Sequence, residues 1–166
     1  RSRHFFAYTD KGSDAALDAG LTPDQITVLR NTVDTRELHE AIQRVNARSI
    51  DAFTSLHQLG ERRWTCFIGG LDKSKRLDFL LAAGDEIFSA LPEFGLIVAG
   101  SGAQEDLIRR AAQERPWLAY VGRAGVDDMA MLASITERLL VPGRVGLVAV
   151  DSFVLGLPIV TTRWPY

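Results

Sequence analysis

Residues 141–160 read V-P-G-R-V-G-L-V-A-V-D-S-F-V-L-G-L-P-I-V, and they leave this chain few folds to choose from. They hold a strand end, a glycine turn, a helix opening, an acid one turn in, a helix stop at Gly156 and a new apolar strand. A helix squeezed between two apolar strands is a crossover, and crossovers of this kind join parallel strands. The opening of such a helix points unpaired backbone N–H groups out of the sheet edge, where a phosphate is readily held. Asp151 stands where it can meet a sugar hydroxyl attached to that phosphate. The segment therefore points to a nucleotide or nucleotide-sugar site.

The same alternation runs through the whole chain. Strands are expected at 4–8, 26–30, 65–68, 95–99, 118–121, 138–141 and 158–161, most of them short apolar runs suited to a sheet covered on both faces. Helices are expected at 13–19, 75–91, 103–113, 126–134 and 147–155. A further long helix, capped by Asp34, is expected to run through Leu38, Ala41, Ile42, Val45, Ile50, Phe53 and Leu56 to a stop at Gly60. The predicted fold class is α/β: a Rossmann-like parallel sheet with helices on both faces. Residues 1–62 read as a leading strand-helix-strand with a connecting helix, and 63–166 as the main nucleotide-binding unit, truncated at its C-terminus. The chain opens in one strand and stops just past another, which reads as part of a longer protein.

Composition narrows the function. A net charge of -2 disfavours an extended nucleic-acid footprint, which needs a basic excess. No apolar run is long enough for a transmembrane helix, and the N-terminus lacks a signal-peptide core. A cytoplasmic location is expected, with peripheral contact at the inner face of the membrane left open. Cys66, the one cysteine, lies in the apolar run R-W-T-C-F-I and reads as a buried strand thiol. His4, His39 and His57 are scattered without ligand spacing, so no metal is expected. Trp64, Trp117 and Trp164 read as packing residues, Arg109 and Arg110 as solvent-facing, and Arg123 and Arg144 as residues of the cleft edge that either contact the ligand or form a solvated rim.

Ligands of a parallel sheet bind at the carboxyl ends of its strands. The glycines fall there: Gly69-Gly70 after one strand, Gly100 and Gly102 after the next, Gly122 after the third, Gly143 and Gly146 after the fourth. Two familiar phosphate motifs fail. Glu105 stands where the dinucleotide fingerprint needs its third glycine, and no glycine directly precedes Lys73-Ser74 as a P-loop requires. Lys73, Lys75 and Arg76 nonetheless cluster after a strand. Read as a helix opening, they oppose the helix dipole, and a bound anion offsets that cost.

Taken in order, five segments resemble the C-terminal half of family 4 glycosyltransferases, retaining enzymes of the GT-B fold. Val28-Leu-Arg-Asn-Thr-Val-Asp34 is similar to the family's V-I-x-N-G-V-D linker, and Phe67-Ile-Gly-Gly-Leu-Asp-Lys-Ser-Lys75 to F-x-G-R-L-x-x-x-K. Leu96-Ile-Val-Ala-Gly-Ser-Gly102 resembles I-V-G-x-G, and Tyr120-Val-Gly122 resembles V-x-F-x-G. Gly146-Leu-Val-Ala-Val-Asp-Ser-Phe-Val-Leu-Gly-Leu-Pro158 resembles G-L-V-x-x-E-A-x-x-x-G-x-P.

The resemblance implies that this half binds the diphosphate of a sugar donor, with no further cofactor. Lys75 matches the lysine that neutralises the diphosphate, which aids catalysis as negative charge develops on the leaving group. Asp151 matches the second acid of the E-x7-E motif, which holds the ribose hydroxyls. The backbone of Val145, Gly146, Leu147 and Val148 matches the helix start at the phosphates, and Val121 with Gly122 the base-binding turn. The acceptor site is implied to belong to an N-terminal half. Two positions depart from the pattern. Gly143 replaces the first acid, and Gly70 replaces the phosphate-binding arginine, for which Arg144 or Arg76 is a candidate substitute. The competing reading is a non-catalytic nucleotide-binding or interaction domain of the same fold.

Overall fold

A computed structural model describes residues 4–30 and 32–163. Asn31 of the linker motif and Trp164 lie outside the described residues. The chain divides into two compact units, 1–33 and 34–166. In the first, strands β1 (Phe5–Ala7) and β2 (Ile26–Val28) pair in parallel, Phe5 opposite Ile26. Helix α1 (Asp10–Asp18) connects them, and Thr9 caps it through its hydroxyl.

The second unit opens with two helices where one is expected. Helix α2 (Arg36–Arg44) ends because Val45 turns extended, and α3 (Ala47–Leu56) starts afresh behind Asn46. Asn46 Oδ1 accepts from Ser49 N at 3.1 Å while Ser49 Oγ accepts from Asn46 N at 3.0 Å. That reciprocal cap breaks the helix without disturbing the apolar periodicity. Asp34 does not cap α2. It lies one residue ahead of the cap position and accepts from Arg36 N at 3.0 Å. Both helices pack on α6 (Val126–Ile135), so this polar stretch belongs with the main unit. The boundary thus falls at 33/34, earlier than the 62/63 suggested by polarity alone.

The main sheet contains β3 (Arg63–Ile68), β4 (Phe94–Ala99), β5 (Leu118–Gly122), β6 (Leu139–Leu140) and β7 (Ile159–Val160), in the order β5-β4-β3-β6-β7. Every pairing is parallel. The crossovers are α4 (Leu77–Ala90), α5 (Glu105–Glu114), α6 and α7 (Val148–Leu155). Cys66, Phe67, Leu96, Ile97 and Val98 have no exposed surface, which is why β3 and β4 read as mostly apolar runs, Thr65 being the buried polar exception. Trp117 is buried against α4, where a methyl group on Gly84 would come 2.3 Å from its ring. Trp64 is buried too, its indole N–H donating to Gly60 O at 2.9 Å. Among the described residues no helix is long and apolar enough to cross a membrane.

Candidate functional site

Because the sheet is wholly parallel, the turns after β3, β4, β5 and β6 all leave its carboxyl edge. The first three are stitched together by backbone. Gly69 N donates to Ala99 O at 3.1 Å, Gly100 N to Gly122 O at 2.7 Å, and Leu71 N to Ser101 O at 2.9 Å. Gly100 holds φ +151°, and a Cβ there would fall 1.9 Å from Gly69 O. Only glycine lets these two turns approach so closely. Tyr120 secures the crossing by donating its hydroxyl to Gly100 O at 2.8 Å. The result is a cleft of about 210 Å³ between the turns, lined by Gly69, Gly70, Gly100, Ser101, Arg123 and Ala124 among others.

Strand order reverses at β3, which pairs with β4 on one side and β6 on the other. The crevice at such a reversal is where open parallel sheets place their ligands. Two loops face each other there. After β3, Asp72 accepts from Ser74 N at 2.8 Å and so caps a 3-10 turn, Lys73–Lys75. Arg76 then takes a left-handed conformation before α4 begins at Leu77. This corrects the expectation of a helix beginning at Lys75: the lysines sit ahead of α4, and the dipole penalty argued from that expectation does not apply to them. Arg76 lies over the Phe79 ring, 4.6 Å from its centre.

The loop after β6 docks on that turn. Arg144 N donates to Ser74 O at 2.9 Å, and Lys75 Nζ donates to Arg144 O at 2.5 Å. A Cβ on Gly143 would stand 2.2 Å from Ser74 O, and one on Gly146 would stand 3.9 Å from Lys75 Nζ. The lysine stem also passes Gly69, so a single side chain links the glycine cleft to the crevice. Partial burial pulls the Lys75 pKa below the usual lysine range. Asp72 opposes that shift, and Arg144 adds to it. Helix α7 starts just beyond, behind Leu147, and no side chain caps it. Asp151, in its first turn, is half-buried, and that burial pushes its carboxyl up.

The structure therefore brings Lys75, Gly143, Arg144 and Gly146 together at the crevice, next to the start of α7 with Val145, Leu147, Val148 and Asp151. Gly69, Gly70, Gly100 and Gly102 gather in the adjoining turns with Gly122, which ends β5, and Val121 before it. Two contributors escaped the sequence reading. One is Tyr120, whose hydroxyl ties β5 to the Gly100 turn. The other is Asp72, whose cap was signalled by an acid two residues before a serine. Arg109 and Arg110 are exposed as expected. Among the described residues no cluster of His, Cys, Asp or Glu is arranged to hold a metal.

A parallel sheet with this crevice defines a class of nucleotide-binding α/β domains, and comparison places the chain within it. Residues 62–165 match the family described as Glycosyl transferases group 1, and the chain belongs to that family. Over 93 residues it is 29% identical to the GtfA subunit of UDP-N-acetylglucosamine–peptide N-acetylglucosaminyltransferase from Streptococcus gordonii, a match covering 54% of this chain and 18% of that protein. HepE from Anabaena, solved with UDP and glucose, matches 98% of this chain and 45% of its own, at 16% identity and a TM-score of 0.69. The pneumococcal O-GlcNAc transferase GtfA, solved with UDP and GlcNAc, matches 99% of this chain and 31% of its own, at 21% identity and a TM-score of 0.66. The fold is thus that of the GT-B glycosyltransferases, and the chain spans less than half the length of these relatives.

Proposed function

We propose that this chain is the donor-binding half of a retaining glycosyltransferase of family 4. It holds a nucleoside-diphosphate sugar whose sugar passes to a saccharide or glycoconjugate acceptor, as in the building of a polysaccharide. The acceptor is held by an N-terminal half of the same protein, and the work is done in the cytoplasm, at or near the inner face of the membrane. One observation carries the reading: the Lys75 ammonium and the uncapped start of α7 share the crevice where strand order reverses. Both favour an anion at one place. Asp151 lies in the first turn of the same helix, where the resemblance assigns it to the ribose hydroxyls.

Lys75 neutralises the leaving diphosphate as the glycosidic bond breaks, and the α7 backbone adds N–H donors aimed at the same charge. The Gly122 turn receives the base. A thermal-shift screen of UDP, GDP, ADP and their sugars tests the reading, since a ligand that binds only the folded state raises the melting temperature. One nucleotide series is expected to stabilise the protein. Failure of every nucleoside diphosphate at millimolar concentration overturns the proposal.

A second reading, a non-catalytic nucleotide-binding or interaction domain, is favoured by the surroundings of Gly143. The space where a side chain would stand is filled by the Ser74 and Lys75 backbone. Nucleotide binding without sugar transfer by the full-length protein, over a broad set of acceptors, would support it.

A further inference from the structure

We infer that Arg144 supplies the second cation for the donor diphosphate, and that the loop carrying it reads the diphosphate without reading the sugar. This rests on the donor-binding reading above and adds to it a residue and a selectivity. Three observations lead there.

The first is the state of the Arg144 side chain. Arg44, Arg63, Arg109, Arg115 and Arg138 each pair with an acid. Arg144 is exposed, and among the described residues no ion pair or hydrogen bond reaches its guanidinium. Its backbone, by contrast, is fixed on both sides of the residue: the N–H donates to Ser74 O and the carbonyl accepts from Lys75 Nζ. The loop is pinned while its cation is left free.

The second is the company that cation keeps. Its charge lowers the pKa of both Lys75 and Asp72, so all three groups lie within electrostatic reach. Asp72 is already engaged as a cap on Ser74. Two like charges held together in a half-buried crevice repel each other, and a diphosphate with two or more negative charges removes that repulsion. Gly70 has no side chain to offer the phosphates, and Arg144 is held against the same β3 loop through Ser74 and Lys75.

The third is what the loop lacks. From Pro142 to Leu147 the sequence is P-G-R-V-G-L, with Arg144 its one polar side chain. Arginine donates and does not accept. Sugar hydroxyls therefore find no side-chain acceptor on this loop. Nor can one be added at Gly143 while the loop is docked, because the new Cβ would meet Ser74 O at 2.2 Å and Lys75 Cα at 2.7 Å. The docked loop and a side chain at this position exclude each other.

The test is isothermal titration of the full-length protein with UDP, GDP and ADP, their glucose conjugates and the monophosphates. For the base that binds, the diphosphate and its glucose conjugate are expected within about threefold of each other. Arg144→Ala is expected to weaken both by about tenfold or more and the monophosphate by less. Arg144→Lys restores part of the loss, and Arg48→Ala, which makes the same change in net charge on an exposed helix, has no effect. Gly143→Glu is expected to weaken all ligands by lifting the loop from Ser74. Arg144→Ala behaving like Arg48→Ala, a glucose conjugate binding over about tenfold tighter than its diphosphate, or a gain in sugar-nucleotide affinity from Gly143→Glu each overturns the inference. If diphosphates bind and depend on Lys75 but not on Arg144, the donor-binding reading survives and this inference alone fails. If no diphosphate binds, both fail.

Discussion

Lys75 and Arg144 are 69 residues apart in sequence, yet the ammonium of the first donates to the backbone carbonyl of the second at 2.5 Å. The contact closes the crevice between the β3 and β6 loops. It occupies one of the three donors of the ammonium. The remaining donors lie beside the Arg144 guanidinium and the first turn of α7, with Asp72 the acid that faces both cations and Asp151 in that turn. An anion binding there finds the donors already in place, and positioning paid for during folding is not charged again on binding.

Replacing Lys75 by alanine should weaken nucleoside diphosphate binding by about 1–3 kcal/mol, the loss of a charged hydrogen bond. Nucleoside affinity should barely change. Equal losses for both ligands in calorimetry would show that the lysine acts on folding instead. The pH dependence has a definite sign. The ligand-free Lys75 pKa lies below its usual value of 10.5. Affinity for diphosphate should therefore fall as pH rises through that lowered value, earlier than an unperturbed lysine would allow, and binding in that window should take up protons. The ligand-free fold shows the opposite sense. Its unfolded state holds the proton more tightly, so this group's contribution to stability rises with pH across the same window.

Gly100→Ala should destabilise the protein by about 3 kcal/mol or more, because a methyl group would fall 1.9 Å from the Gly69 carbonyl. Urea denaturation would measure it. A loss comparable to an exposed helix substitution would mean that the two turns do not cross as described.

Much of this architecture was legible because each buried strand carries its own signature. The runs around Cys66 and Ile97 are mostly apolar, as strands covered on both faces tend to be, and a glycine turn follows each. The breaks in legibility have local causes. Asn46 starts a new helix in the middle of an uninterrupted apolar face, and periodicity does not register a cap. Asp72 draws Lys73–Lys75 into a 3-10 turn, so a basic cluster that looks like a helix opening precedes the helix. The docking of Gly143 on Ser74 is a long-range contact that single-residue preferences do not encode. At Gly143 the fold shows the Ser74 and Lys75 backbone filling the space a side chain would need.

Cys66 should be inert in the native protein. Its thiol is fully buried, lies 3.3 Å from the Thr136 hydroxyl, and is pushed up to about 12 by burial. Thiolate is the reactive form, and at about pH 8 almost none exists. A disulfide reagent should label the native protein no faster than it unfolds and label it at once in denaturant. Rapid labelling without denaturant would place the thiol at the surface and contradict the packing of β3.

Asp151 should show the conflict between stability and function expected of a binding acid. Burial raises its pKa above 3.8 in the folded protein. A raised pKa contributes stability below the unfolded value, and that contribution is lost as pH rises through the folded one. At neutral pH the ionised carboxylate is therefore a cost to the ligand-free fold. Asp151→Asn should raise the melting temperature of the ligand-free protein. The same change should weaken nucleotide binding by about tenfold, since a charged acceptor for the ribose hydroxyls is replaced by a neutral one. The two effects separate through a double-mutant cycle with 2′-deoxynucleoside diphosphate as the second variation. The original protein should prefer the ribonucleotide, and Asp151→Asn should erase most of that preference. An unchanged preference in the variant would remove Asp151 from the ribose, whatever happens to the melting temperature.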